Sequence, residues 1–571
     1  MLISWFRRIP KSSRVVGARN FGGSSPKYSN VLSGIQMDIP NMNFHEYLFS
    51  KNEKFYGLTA YECGVTGRKY TYDDVRIMSR NLSKNLRKKL RLNRGDVVAI
   101  LLQNIPEYPV AAYGIYEAGL TVTTMNPIFT ANEIFRQLAS SSTKAVITMP
   151  EHFDKVKLAA QHIKKDLPVI CVKTKNGESL PRGGIDFFEF TSTDLDMPSI
   201  QPSNMDDVCT ILYSSGTTGL PKGVELTHRN LVAEQSQFCH TDVLMVQPPT
   251  ETTQEVIPGV LPMYHSFGFF IMNIFMSTNG VKVVTIPKFT PDWFISTLRN
   301  HRMSVMVVAP PLISFLTNYP NVKDEYLKSL KFVLTGAAPL SKEDEERFLK
   351  KTGPDTFISQ GYGLTECPSI ALVTKGASKR NENARGSVGI PHANTQIKVV
   401  AVDDPTGTPL GPNQNGEIFA RGPQMMKGYL NNPEATKNAF VDGWLKTGDI
   451  GYYDEDGLLY VCDRLKELIK VSGFQVAPAE LEAVLRDYPA VEDAAVIGVP
   501  HERYGEVPRA YVVPKNGSKL CPVELNNYFM EKVAKYKRLM GGIEITHTIP
   551  KSASGKILRK ELKMQYDGGR R

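Results

Sequence analysis

Between residues 97 and 150, apolar runs alternate with amphipathic stretches. Val97–Leu102, Thr121–Met125 and Ala145–Met149 are short and apolar or β-branched, while Glu107–Ala118 and Ala131–Ser140 between them have helical patterning. That alternation predicts parallel strands joined by crossover helices. The rhythm returns at Val305–Ala309, Phe332–Thr335 and Thr356–Ser359, each followed by helix-prone sequence. Parallel strands need cover on both faces, so the large N-terminal part is expected to be α/β, with parallel-rich sheets flanked by helices. After Asn394 the texture changes. Gln396–Val402, Gly416–Arg421 and Leu458–Cys462 are short segments between Asp, Gly and Pro turns, which predicts a small β-rich subdomain. From Lys466 onward, helical Ala479–Arg486 and strand-like Ala494–Gly498 and Arg509–Val513 predict a compact α+β unit. Val256–Met276 is the most apolar stretch, but Pro258, Pro262, His265 and Asn273 interrupt it. No apolar run reaches the ~18–20 residues of a membrane helix, so this stretch reads as core, and any membrane contact would be peripheral.

Charge changes the picture at the two ends. The 571 residues carry 68 Lys and Arg against 58 Asp and Glu. Arg7, Arg8, Lys11, Arg14, Arg19 and Lys27 all precede the first carboxylate, Asp38. From Lys466 to the end there are 18 basic and 13 acidic residues, which leaves the body near −1. A near-neutral body with basic ends is not the pattern of a nucleic-acid-coating protein. The seven cysteines show neither CxxC spacing nor a zinc pattern with His, so neither a disulfide framework nor a structural zinc is expected. Residues 1–25 are rich in Arg and Ser, and Leu2, Ile3, Trp5, Phe6 and Ile9 can share one helical face. This segment reads as a mitochondrial transit peptide or as a disordered basic tail. The first reading places the protein in mitochondria, with cytoplasm or peroxisome as the alternative. The C-terminal Gly568-Gly569-Arg570-Arg571 is not a Ser-Lys-Leu type address.

One loop concentrates the chemistry. Tyr213-Ser214-Ser215-Gly216-Thr217-Thr218-Gly219-Leu220-Pro221-Lys222-Gly223 follows strand-like Val208–Leu212. Glycines let backbone N–H groups close around an anion, hydroxyls donate to phosphate oxygens, and lysine adds a point charge. It is not a Walker loop, because Lys222 is preceded by Pro221 and followed by Gly223 rather than by Ser or Thr.

Ser214–Gly223 resembles the phosphate loop of the adenylate-forming superfamily, which includes acyl-CoA synthetases, coumarate–CoA ligases, luciferases and peptide-synthetase adenylation domains. Five further motifs follow in order. They are Thr335–Leu340, Gln360-Gly361-Tyr362-Gly363-Leu364-Thr365-Glu366, Lys446-Thr447-Gly448-Asp449, Asp463-Arg464-Leu465-Lys466 and Pro550–Lys556. The resemblance spans about residues 45–565. It implies an ATP- and adenylate-binding domain over 38–463 and a mobile domain over 464–571, hinged near Lys466.

The resemblance also implies a reaction. A carboxylate attacks the α-phosphate of ATP, pyrophosphate leaves, and coenzyme A then takes the acyl group. Two anions must meet, so charge neutralisation and positioning dominate the first step. By resemblance, Ser214, Ser215, Gly216, Thr217, Thr218 and Lys222 hold phosphates, and Thr218 and Glu366 contact Mg²⁺. Ala337, Gln360, Gly361, Tyr362 and Thr365 frame the nucleotide. Asp449 and Arg464 take the ribose. Lys556 bridges the carboxylate and α-phosphate, whereas without the family it would read as a surface lysine. Lys466, Lys470 and Gln475 serve the hinge and thioester stage, and Ser472 and Gly473 meet coenzyme A. Many coumarate ligases carry lysine immediately before the glycine matched by Gly473, and here that residue is Ser472.

His265 by the same resemblance lines the carboxylate entrance, with Phe267, Ile271 and Gly361 around the acyl group. Coumarate ligases typically place Tyr two after this His and a small polar residue further on. Phe267 and Ile271 stand there instead, and a phenolic hydroxyl would lose its partners against them. With Phe238, Phe269 and Phe270 nearby, the expected substrate is a hydrophobic carboxylic acid, a medium- to long-chain fatty acid. A 4-coumarate–CoA ligase acting on aromatic acids and a luciferase-like monooxygenase are the alternatives.

Overall fold

The computed structural model describes residues 30–175, 177–197, 200, 203–214, 221–240, 246–338, 340, 342–373, 384–402, 404, 406–471, 474–552 and 555–568, with backbone only at 474 and 475. The basic leader over 1–25 and the predicted contacts Ser215, Gly216, Thr217, Thr218, Ser472 and Gly473 lie outside the described residues.

The expected α/β architecture is present. Strands Val208–Ser214, Thr121–Thr124, Val97–Leu101, Ala145–Thr148, Val169–Cys171 and Ile185–Asp186 pair parallel in that spatial order. Lys222–Thr227 and Gly428–Tyr429 extend one edge antiparallel, giving eight strands. Val97–Leu101 is buried at every position, as a doubly covered central strand must be. The helix Glu107–Glu117 lies in the core, and Glu107 is neutralised there by Arg68 at 2.6 Å and by the hydroxyl of Tyr70 at 2.7 Å.

A second sheet pairs Val305–Val308, Phe332–Thr335 and Phe357–Tyr362 parallel, then Ala371–Leu372 and Ile390–Pro391 antiparallel. A third joins Val256–Gly259, Lys282–Thr285, Thr59–Cys63 and Lys69–Thr71. The stretch expected as core, Val256–Met276, enters as a strand and ends in a buried π-helical segment, Phe269–Phe275.

The β-rich region forms a six-stranded sheet around Gln396–Val400, Gly416–Arg421, Trp444–Tyr453 and Leu459–Arg464. Its outer edge is Val31–Ser33, which pattern alone does not reveal. In the last unit Val491–His501 and Gly505–Pro514 form a long antiparallel hairpin, joined by Ile469–Val471, Phe474–Val476 and Ile543–Ile545. The expected Ala494–Gly498 and Arg509–Val513 are its apolar middles. The polar flanks Glu492, Asp493 and His501 join because ladder pairing, not apolar content, carries the hairpin to its ends.

Open α/β sheets offer ligands the carboxyl ends of their strands. Thr124, Ser214, Leu334 and Tyr362, at or beside such ends, all face one cleft of about 1830 Å³.

Candidate active site

The cleft is walled by the large body on one side and by the last unit on the other. Ser214 ends one strand of the hairpin and Lys222 opens the next, in register opposite it. The Lys222 ammonium sits 4.8 Å from the ring centre of Tyr429, and the Tyr429 hydroxyl donates to Glu366 Oε1 at 2.8 Å. Thr365 and Glu366 occupy a turn closed by Leu364 N–H to Cys367 O at 2.8 Å and Cys367 N–H to Leu364 O at 3.2 Å. A Cβ on Gly363 would lie 2.1 Å from the Pro368 carbonyl oxygen, so only glycine fits there.

Asp449 stands within the ten-residue strand Trp444–Tyr453, in register opposite Arg464. Arg464 Nε lies 2.8 Å from Oδ1, and the Tyr362 hydroxyl donates to Oδ2 at 2.7 Å. Burial pushes the Asp449 carboxyl up, and Arg464 and Tyr362 oppose that. Each carboxylate oxygen keeps spare acceptor capacity for a ligand hydroxyl. Ala337 lines the cleft with φ +68, a left-handed backbone that is costly for a residue with a Cβ.

Gln360 is committed to the protein: its amide donates to Leu340 O at 3.2 Å and accepts from Leu340 N–H at 3.1 Å. Its side chain is buried and does not line the cleft. Gly361 does line the cleft, but a Cβ there would meet Leu372 at 3.2 Å and Leu334 at 3.5 Å rather than open space.

Lys556 reaches the cleft from a tight loop. Its N–H donates to Ser552 Oγ at 3.1 Å, Ser552 N–H donates to Lys556 O at 2.8 Å, and Gly555 turns with φ +81. A Cβ on Gly555 would lie 2.8 Å from Pro311 of the large body, so this loop packs directly on it. The Lys556 ammonium lies 4.0 Å from Glu467, which Arg559 also holds at 2.6 Å. Burial and the Arg464 charge lower the Lys556 pKa, while Glu467 and Asp449 resist.

His265 faces the same space. Its Nδ1 accepts from Phe267 N–H at 3.4 Å, capping the next turn. Burial, helped by the Lys556 charge, pulls its pKa down to about 4, so the ring is neutral at pH 7. Phe267, Ile271, Phe238, Phe270, Leu334 and Leu372 form an apolar wall beside it.

The structure therefore brings Ser214, Lys222, His265, Ala337, Gly361, Tyr362, Thr365, Glu366, Arg464, Lys466 and Lys556 onto one cleft, with Asp449 held beneath by Tyr362 and Arg464. Lys470 is not among them. It is exposed on the strand Ile469–Val471, paired in register with Gln475, on a face of the last unit other than the one that carries Lys556 into the cleft. Tyr429, Glu467 and Glu234 also line the cleft and escaped the sequence reading. For Glu234 a signal existed. It falls three residues after Leu231 and four before Phe238, on the apolar stripe of a helix.

A cleft with Lys222 and Glu366 near one wall, Asp449 buried beneath it and a lysine delivered by a second domain is that of an adenylate-forming enzyme. The comparisons agree. A family model described as AMP-binding enzyme matches residues 48–430, and one described as AMP-binding enzyme C-terminal domain matches 480–556. The chain is 39% identical over 534 residues to 4-coumarate–CoA ligase 1 of Solanum tuberosum, covering 93% of this chain and 95% of that protein. It is 37% identical over 548 residues to 4-coumarate–CoA ligase 1 of Arabidopsis thaliana, covering 93% and 94%. ATP-bound MatB from Rhodopseudomonas palustris superposes with a TM-score of 0.81 at 26% identity, over 92% of this chain and 99% of that one. The chain belongs to the AMP-binding enzyme family and is an ATP-dependent, AMP-forming acid–CoA ligase.

Proposed function

We propose that this ligase activates a hydrophobic carboxylic acid, a medium- to long-chain fatty acid, as its acyl-adenylate and passes the acyl group to coenzyme A. The observation that supports the substrate is the apolar wall: Phe267, Ile271, Phe238, Phe270, Leu334 and Leu372 offer a long apolar chain a surface to pack against. In this reading the ATP phosphates lie along the Ser214–Lys222 hairpin, the adenine between Tyr362 and Ala337, and the ribose hydroxyls on Asp449. The acid's oxygen attacks the α-phosphorus, the bond to pyrophosphate breaks, and Lys556 neutralises the charge that builds between the two anions. Neutral His265 keeps the carboxylate entrance free of added charge.

Glu366 fits a Mg²⁺ held mainly by phosphate oxygens, because Tyr429 occupies only one of its carboxylate oxygens. Among the described residues there is no group of three or more His, Cys, Asp or Glu that could hold a metal ion. Bound there, it would neutralise phosphate charge. For the thioester stage the last unit turns about Lys466 and presents the face that carries Lys470 and Gln475. The sulfur of coenzyme A then attacks the acyl carbon and AMP leaves.

Residues 1–25 act as a mitochondrial leader in this proposal. A reporter fused behind them should enter mitochondria and be trimmed, and a cytosolic reporter would remove that part.

The second reading, an aromatic acid, is favoured by the relatives, which are named 4-coumarate–CoA ligases. The test is coenzyme-A-dependent AMP release over a panel of acids. Octanoate through palmitate should show higher kcat/KM than 4-coumarate, and Phe267→Tyr with Ile271→Ser should narrow the gap. Faster turnover of 4-coumarate than of every fatty acid would replace the first reading by the second.

A further inference from the structure

Seven carboxyl residues are buried among the described residues, and six of them have a partner. Glu107 meets Arg68, Glu255 meets Lys331, Glu345 meets Arg385, Asp449 meets Arg464, Asp463 accepts from the Ala479 N–H, and Glu482 meets Arg559. The seventh is Glu234, on the helix His228–Phe238. It is 1% exposed, and neither of its carboxyl oxygens has a hydrogen-bond partner among the described residues. A buried polar group without a partner is costly, and a packed helix face offers apolar residues as the cheaper choice.

What Glu234 does touch is the cleft. It lines that space, as do Phe238, Phe270, Ile271 and Ser369. Burial alone pushes its carboxyl well above the ordinary carboxylic range, with no cation nearby to reverse this. A neutral carboxyl offers one O–H donor and acceptor oxygens in the same group. The partner that complements it is a neutral hydroxyl, which both donates and accepts.

We infer that Glu234 is a specificity residue that hydrogen-bonds a hydroxyl on the far end of the acid substrate. The inference rests on the acid occupying the pocket between Phe267 and Phe238. It deepens the proposed function: among acids with an apolar body, those that carry a hydroxyl at the far end are preferred over their plain counterparts. An apolar pocket scarcely distinguishes a terminal hydroxyl from a hydrogen, whereas a buried hydrogen-bonding group rejects the acid that lacks its partner.

The experiment compares acids that differ only in that group. The pairs are decanoate with 10-hydroxydecanoate, palmitate with 16-hydroxypalmitate, and cinnamate with 4-coumarate, and 10-aminodecanoate serves as a cationic control. With the wild-type chain, at least one hydroxylated member should exceed its partner by about tenfold or more in kcat/KM. Glu234→Leu should abolish that ratio by raising the plain acid and lowering the hydroxy acid, and Glu234→Gln should keep most of it. Because Glu234 has no hydrogen-bond partner among the described residues, Glu234→Leu should leave Tm unchanged or raise it; a lowered Tm with an unchanged ratio would mark a structural residue and overturn the inference. It would equally fall if no hydroxylated acid beat its partner, or if the amine were preferred. Rejection of both aliphatic pairs, with the aromatic pair still sorted by Glu234, would remove the fatty-acid reading and leave this one standing.

Discussion

Replacing Lys556 by alanine separates the two half-reactions. The ammonium approaches the cleft only because its loop is packed on Pro311, and it lies 4.0 Å from Glu467. At such a separation two unit charges interact by roughly 4 kcal/mol at an effective dielectric near 20. The negative charge that develops as carboxylate meets α-phosphate would feel the lysine on that scale. Removing one preorganised donor from a charge-building transition state costs about 10²–10³ in rate, or ~2.7–4 kcal/mol. The side chain is 31% exposed, so water screens part of this and the lower end applies. Lys556→Ala should therefore slow adenylation by about 10²-fold, read as acid-dependent exchange between ATP and pyrophosphate. Conversion of a supplied acyl-adenylate and coenzyme A to acyl-CoA should stay within about threefold of the wild type, since the lysine has no part in that step. Equal losses in both assays, or none in the exchange, would refute the reasoning.

Gly555→Ala should reproduce much of the Lys556 effect without touching the lysine, because φ +81 and Pro311 at 2.8 Å leave no room for a Cβ; the same two assays check it. Asp449→Asn should leave Arg464 facing a neutral partner inside the protein and weaken kcat/KM for ATP by about 10²-fold, with Tyr362→Phe weaker by only about tenfold. His392 is buried against Phe238, with neither ring nitrogen partnered among the described residues, and burial lowers its pKa to about 4. The unfolded chain binds that proton below about pH 6.5 and the folded one only near pH 4, so this residue's contribution is complete above pH 6.5 and is lost as pH falls toward 4. The loss is about 2 kcal/mol between pH 7 and pH 5. His392→Leu should accordingly show a smaller drop in Tm over that interval than the wild type.

Much of this molecule is legible in order along the chain. Strands such as Val97–Leu101 and Val305–Val308 are apolar because both faces are covered, and their crossover helices follow at the spacing that parallel pairing requires. The motifs were legible too, since runs such as Gln360–Glu366 and Lys446–Asp449 are made of neighbouring residues and need no distant partner to be read. The edge strand Val31–Ser33 was not, because three residues carry no periodicity and pair with a strand more than 360 positions away.

The site itself was decided by tertiary contact. Asp449 and Arg464 become partners because two neighbouring strands set them in register. Gln360 sits inside a recognisable motif, yet the neighbouring chain at Leu340 claims its amide. Lys556 becomes a cleft residue because Gly555 docks on Pro311, and Lys470 does not, because the same domain faces it outward. Glu234 is the sharpest case. In sequence it is a carboxylate on the apolar stripe of a helix, and packing adds that neither of its oxygens has a hydrogen-bond partner among the described residues. Local sequence determined which elements form and which groups are available to them. Burial and register, which depend on residues far apart in the chain, decided which of those groups share one cleft and which are left for a ligand.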